Sequence, residues 1–208
     1  MNGQEMENGM AKLLYQGQAS LRIVTSEGKV IYIDPYAGEY DMPADLILVT
    51  HQHFDHNKVE LVKRRNSGCV IISQDEALKN GKHQIFKLGY VTVEAVEAGY
   101  NRYHDITKCV GYILTFTDGK TIYISGDTSK TKQMNTLAER NLDYAIFCCD
   151  GHFNMDMDEA AECAAIVGAK YNIPYHMSIG EVFNPKCAEQ FQAKGRIIVA
   201  DGEEIMIK

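Results

Sequence analysis

No apolar run in the 208-residue sequence exceeds a few residues; Leu46 to Val49 and Val70 to Ile72 are typical. A bilayer-crossing helix needs ~20 such residues, so no membrane span is expected. The opening stretch, Met1 to Met10, is polar and acidic and lacks an apolar h-region. A secretory leader is therefore not expected, and the cytoplasm is the expected location. Basic residues are not in excess either: 21 Lys and Arg face 28 Asp and Glu, for a formal net charge of −7. A nucleic-acid or anionic-membrane partner would normally require clustered positive charge, so both are excluded as first readings. The six cysteines, Cys69, Cys109, Cys148, Cys149, Cys163 and Cys187, include no C-x-x-C pair. In a reducing compartment they are expected to remain thiols. No fixed-period repeat, low-complexity stretch or linker interrupts the chain, and one domain over residues 1–208 is expected.

What is present is mostly strand pattern. Leu21 to Thr25, a turn at Glu27-Gly28-Lys29 and Val30 to Asp34 read as a hairpin. Further strands are predicted at Leu46 to His51, Val70 to Ser73, Val91 to Val96, Gly111 to Thr117, Thr121 to Ser125 and Tyr144 to Cys149, with a turn at Asp118-Gly119. Helices are predicted over Asn57 to Arg65, from a capping pair Asp156 and Glu159 to about Lys170, and from Asn184-Pro185 onward. Arg196 to Ala200 and Glu204 to Ile207 around Asp201-Gly202 read as a closing hairpin. Many strands with few helices suit sheets packed together, an α/β (α+β) class with helices on the outer faces.

The chemistry concentrates in His51-Gln52-His53-Phe54-Asp55-His56, just past a predicted strand. Alternation along an extended backbone puts His51, His53 and Asp55 on one side, while His56, at the turn into the next element, can aim at a neighbouring position. That is a ligand set for two adjacent metals. Imidazole with carboxylate suits zinc, and the carboxylate-rich half also tolerates manganese or iron.

The segment Thr50 to His56 resembles the signature loop of the metallo-β-lactamase fold superfamily of metal-dependent hydrolases. Ile33-Asp34-Pro35, Gly126-Asp127-Thr128 and Ile173-Pro174-Tyr175-His176 match further segments of that family, in its order. Tyr100-Asn101 with His104, Gly111-Tyr112 and Asn154-Met155-Asp156 look like its small bacterial branch related to ascorbate-6-phosphate lactonase. The resemblance implies a four-layer αββα sandwich and two divalent metal ions. It implies that His51, His53 and His104 hold the first metal, that Asp55, His56 and His176 hold the second, and that Asp127 bridges both. Asp55 and Asp127 then serve the catalytic step directly. Two metals ~3.5–4 Å apart can share a hydroxide as nucleophile and polarise the electrophile's oxygen. The centre stays net positive and favours an anionic or carbonyl-containing small molecule, an ester, lactone or phosphoester.

Asp34 is expected to orient a ligating imidazole, and His152 is a reserve ligand that could complete the first site in place of His104 or instead line the pocket. His83 reads as a solvated histidine. Gln18 stands where the branch commonly has histidine, which puts one contact near the site in doubt. Two other classes stay open: a mononuclear iron dioxygenase-type redox enzyme, and a non-catalytic metabolite-binding module. Assembly as a homo-oligomer stays open too.

Overall fold

The structure is a computed structural model that describes residues 9–208; residues 1–8, part of the expected 1–208 domain and of the expected leaderless start, lie outside the described residues. Fourteen strands run in chain order as β1 (Lys12–Gly17), β2 (Ser20–Val24), β3 (Val30–Ile33), β4 (Ala44–Leu48), β5 (Arg65–Ile72), β6 (Leu78–Lys79), β7 (Lys82–His83), β8 (Ile85–Lys87), β9 (Val91–Glu97), β10 (Val110–Phe116), β11 (Thr121–Ile124), β12 (Tyr144–Cys148), β13 (Tyr171–Tyr175) and β14 (Glu204–Met206). They form one six-stranded sheet in the order β14-β1-β2-β3-β4-β5, a second in the order β13-β12-β11-β10-β9-β8, and a small β6-β7 ribbon. This is the mixed α/β architecture expected of the fold class.

The two large sheets share one apolar core, to which Leu13, Leu21, Ile23 and Leu48 contribute from the first and Val93, Leu114, Ile122 and Ile146 from the second. Tyr112 ties them together, its buried hydroxyl donating to the carbonyl of Val49 at 2.9 Å. β3, β4 and β12 are buried at every position. Their near-continuous apolar sequences follow from being covered on both faces, whereas β9 alternates because one of its faces is partly open.

The helix Met157–Val167 starts where the Asp156 carboxylate accepts from the Glu159 amide and stops at Gly168, in the left-handed conformation. It thus ends three residues short of Lys170, and its buried stripe is Ala160, Cys163, Ala164 and Val167. Pro185–Ala188 is a single turn capped by Asn184. The helix expected over Asn57 to Arg65 does not form. Only a 3-10 turn, Val59–Leu61, stands there, and Arg65 already begins β5. Nine residues with two β-branched valines are too few to hold an isolated helix. The Arg65 guanidinium instead donates to the carbonyls of Val59 and Val62. The closing hairpin is also absent: β14 pairs with β1, while Arg196 bridges to Asn172 of β13. The tail is drawn to two open sheet edges rather than to itself. All six cysteines are free thiols.

Candidate metal centre

Parallel strands deliver the polar residues to one end of the sandwich. β3 and β4 run parallel in the first sheet, and β11, β12 and β13 run parallel in the second. Asp34, His51, Asp127, Asp150 and His176 each lie within three residues of the carboxyl end of one of these strands. That end is where open parallel sheets leave a crevice. Asp34 and His176 leave their strands in the left-handed region, at φ 46° each, and Gln18 beside them is at φ 54°. Non-glycine residues accept that conformation only where surrounding contacts impose it.

His104 arrives on a loop that opens at Gly99. The Gly99 amide donates to the Asp127 carbonyl at 3.1 Å, and its φ of +94° suits glycine alone. A Cβ there would come within 2.7 Å of the His104 carbonyl oxygen, so the loop closes this tightly only without a side chain.

The seven expected ligand positions converge. Ligand atoms of His51, His53 and His104 lie within 4.8 Å of one another, as do those of Asp55, His56 and His176 and those of His51, His56 and Asp127. Asp127 Oδ2 is 3.3 Å from His104 Nε2, 3.4 Å from His176 Nε2 and 4.0 Å from His51 Nε2, and its Oδ1 is 3.5 Å from His56 Nε2. Asp55 Oδ2 is 3.6 Å from His176 Nε2 and 3.9 Å from His56 Nε2. His51, His56, His104, His176 and Asp127 are buried, while His53 and Asp55 face the opening.

The imidazoles are held from behind. The Asp34 carboxylate, fully buried, accepts from the Thr50 amide and hydroxyl at 2.7 Å each and from His56 Nδ1 at 2.8 Å. With the Thr50 hydrogen committed to Asp34, His51 Nδ1 donates to Thr50 Oγ1 at 3.1 Å. His104 Nδ1 donates to Asn101 Oδ1 at 3.2 Å, and the buried Asp150 carboxylate lies 3.7 Å from His176 Nδ1. These contacts engage the Nδ1 side of each ring and leave each Nε2 turned toward the shared centre. Asp34 therefore contacts one of the expected imidazoles, that of His56. Thr50, Asn101 and Asp150 add supports that reading did not single out, because a support is recognised by what it touches and not by its type.

Electrostatics follow from the crowding. Burial, reinforced by His56 and His104, pushes His51 well below the usual imidazole range, and burial with His104 lowers His53. Burial opposes ionisation of Asp127, yet the charges of His176 and His56 and the close His104 imidazole hold it well below the carboxylate range. Asp55 is lowered in the same way by His176 and His56 against its burial. His56 and His176 are raised against their own burial, chiefly by Asp127. The carboxylates thus draw positive charge inward, and within the chain it falls on two histidines.

A divalent cation fits this donor set. His51 Nε2, His56 Nε2, His104 Nε2 and Asp127 Oδ1 are buried without a hydrogen-bond partner. Buried polar atoms are rarely left so, and four of them facing one point match a coordination sphere.

His152 is not among the residues gathered here. It is exposed, it stacks on the Tyr103 ring at 5.9 Å, and its amide donates to Asp150. His83 is half-buried rather than solvated, and it lines a separate cavity of about 360 Å³ with Glu97 and Tyr100. Gln18 does reach the centre: its side-chain amide donates to Asp55 Oδ2 at 3.1 Å.

Residues 12–176 match the family described as Beta-lactamase superfamily domain. A UPF0173 metal-dependent hydrolase of Geobacillus thermodenitrificans is 32% identical over 195 residues, covering 79% of this chain and 84% of that protein. One from Chloroflexus aurantiacus is 30% identical over 193 residues, covering 77% and 79%. Igni18, a metallo hydrolase from Ignicoccus hospitalis, superposes with a TM-score of 0.75 at 20% identity over 96% of this chain and 99% of its own, a likeness of fold. No helix among the described residues is long and apolar enough to cross a membrane.

Proposed function

This chain belongs to the beta-lactamase superfamily domain family and is a metal-dependent hydrolase, and from that premise we propose that it cleaves a small ester, lactone or phosphoester at a centre of two divalent ions. His51, His53 and His104 would hold one ion, Asp55, His56 and His176 the other, and Asp127 would reach both. Zinc suits the imidazole-rich half, and manganese or iron would also be tolerated by the half containing Asp55. When bound, such a pair supplies a water of lowered pKa as nucleophile and Lewis acidity toward the electrophile's oxygen.

The chain's own residues do the rest. Asp34, Thr50 and Asn101 hold imidazole protons on the far nitrogens, so that the near ones act as acceptors. Asp55 and Asp127 stay ionised at neutral pH and balance the positive charge. His53 and Asp55, at the opening, are the ligands nearest to an arriving substrate. The observation that carries this reading is the set of four buried, unpartnered donor atoms on His51, His56, His104 and Asp127.

Stripping the protein with a chelator is expected to remove hydrolysis of an ester, lactone and phosphoester panel, and reloading with zinc or manganese to restore it. Full activity in metal-free protein would contradict the proposal.

A further inference from the structure

We propose that the substrate is an uncharged carbonyl compound, an ester or lactone carrying an apolar chain or ring, rather than a phosphorylated or carboxylated molecule. This rests on the hydrolase reading above and narrows it. The centre opens into a cavity of about 710 Å³ whose outer wall is made by Tyr36, Phe54, Tyr103, Phe153, Ile179 and Val182. Ten large hydrophobic side chains are exposed among the described residues, and five of them, Tyr36, Phe54, Phe153, Ile179 and Val182, stand at this one mouth. Phe54 is 67% exposed and Ile179 60%. Apolar surface gathered at a concave opening marks a ligand site, whereas scattered exposure does not.

Charge points the same way. Among the described residues no lysine or arginine lines the cavity. The nearby cation, Arg102, is exposed and lies over the Tyr103 ring, 4.5 Å from its centroid, with its guanidinium bonded to the Tyr103 hydroxyl. Away from the metal-centre residues, the one charged group in the wall among the described residues is Glu181, held by the Asn184 amide at 2.7 Å and Ser178 at 3.3 Å. Sites that take phosphate or carboxylate present arginine forks or helix N-termini. Here an anionic tail would meet a carboxylate and apolar side chains.

The wall is also built in place. The Val182 carbonyl accepts from the Gln18 backbone N–H at 2.6 Å and from the Tyr15 hydroxyl at 3.1 Å. A Cβ on Gly17 would come within 2.8 Å of the Val182 Cβ, so glycine at 17 is what lets Val182 seat against β1. Tyr36 and Phe54 meet edge to face at 5.9 Å, as do Tyr103 and Phe153 at 4.9 Å.

The test uses the zinc-loaded protein and three p-nitrophenyl esters: the acetate, the octanoate, and the hemiester of octanedioic acid, which has the octanoate's length with a terminal carboxylate. The octanoate is expected to exceed both others at least tenfold in kcat/KM, and Ile179→Lys to shift the octanoate-to-hemiester ratio toward the hemiester. Equal rates for acetate and octanoate, or preference for the hemiester, would overturn the assignment of substrate class while leaving the hydrolase reading intact. If no ester or phosphoester is hydrolysed, the hydrolase reading fails, and the cavity is read by binding instead. At least tenfold tighter binding of 2-decanone than of 2-butanone supports the apolar assignment, and equal binding overturns it.

Discussion

Replacing Asp127 by asparagine is expected to cut kcat/KM by more than ~100-fold and to lower the metal content of the purified chain, beyond the roughly 10–100-fold that partners behind a ligand are worth. Asp127 is 2% exposed, and its two oxygens lie between 3.3 and 4.0 Å from the Nε2 atoms of His104, His176, His56 and His51. Among the described residues it is the carboxylate that stands within 4.0 Å of ring nitrogens from both outer triplets of ligand atoms. Asparagine keeps the volume but removes the charge that raises His56 and His176, and it turns N–H donors toward nitrogens that should present lone pairs. Circular dichroism separates loss of the site from loss of the fold. A folded variant with unchanged kcat/KM would contradict the bridging role.

Asp34→Ala should have the largest effect on stability. The carboxylate is fully buried and accepts three hydrogen bonds, from the Thr50 amide, the Thr50 hydroxyl and His56 Nδ1. A buried donor left without its acceptor costs ~1–3 kcal/mol, so the change is expected to cost about 3 kcal/mol or more. For a chain of this size that corresponds to a fall in Tm of roughly 6–12 °C. His56 would also lose its orientation, which lowers metal affinity ~10–100-fold. Thermal unfolding and a competition titration with a metal-binding dye measure the two effects separately. An unchanged Tm would show that Asp34 is not buried against Thr50 and His56 as described.

Much of the cluster was legible because its residues sit close to strand ends, where a local pattern survives folding. His51, His53, Asp55 and His56 fall within six consecutive positions, and Asp34, Asp127 and His176 each follow an apolar run. Asn101 and Asp150 were not legible as supports, since their partners are settled by where the loops land in space. The cavity wall was hidden for the same reason: Tyr36, Phe54, Phe153 and Val182 come from four separate loops. The Asn57 to Arg65 pattern misled because three apolar residues at helical spacing also suit a turn packed under a sheet, and Val59 and Val62 pack with Val30 and Ile47. The C-terminal pattern gave a strand correctly at Glu204 to Ile207, but its partner, β1, lies at the other end of the chain. Such pairings are decided by which sheet edges remain open.

The most direct measurement is the zinc content of the chain after equilibrium dialysis at saturating zinc, read by elemental analysis against protein concentration. A paired centre predicts close to two zinc ions per chain, with clear loss in Asp127→Asn. A wild-type chain that retains no zinc under those conditions would contradict a metal centre built from His51, His53, Asp55, His56, His104, Asp127 and His176.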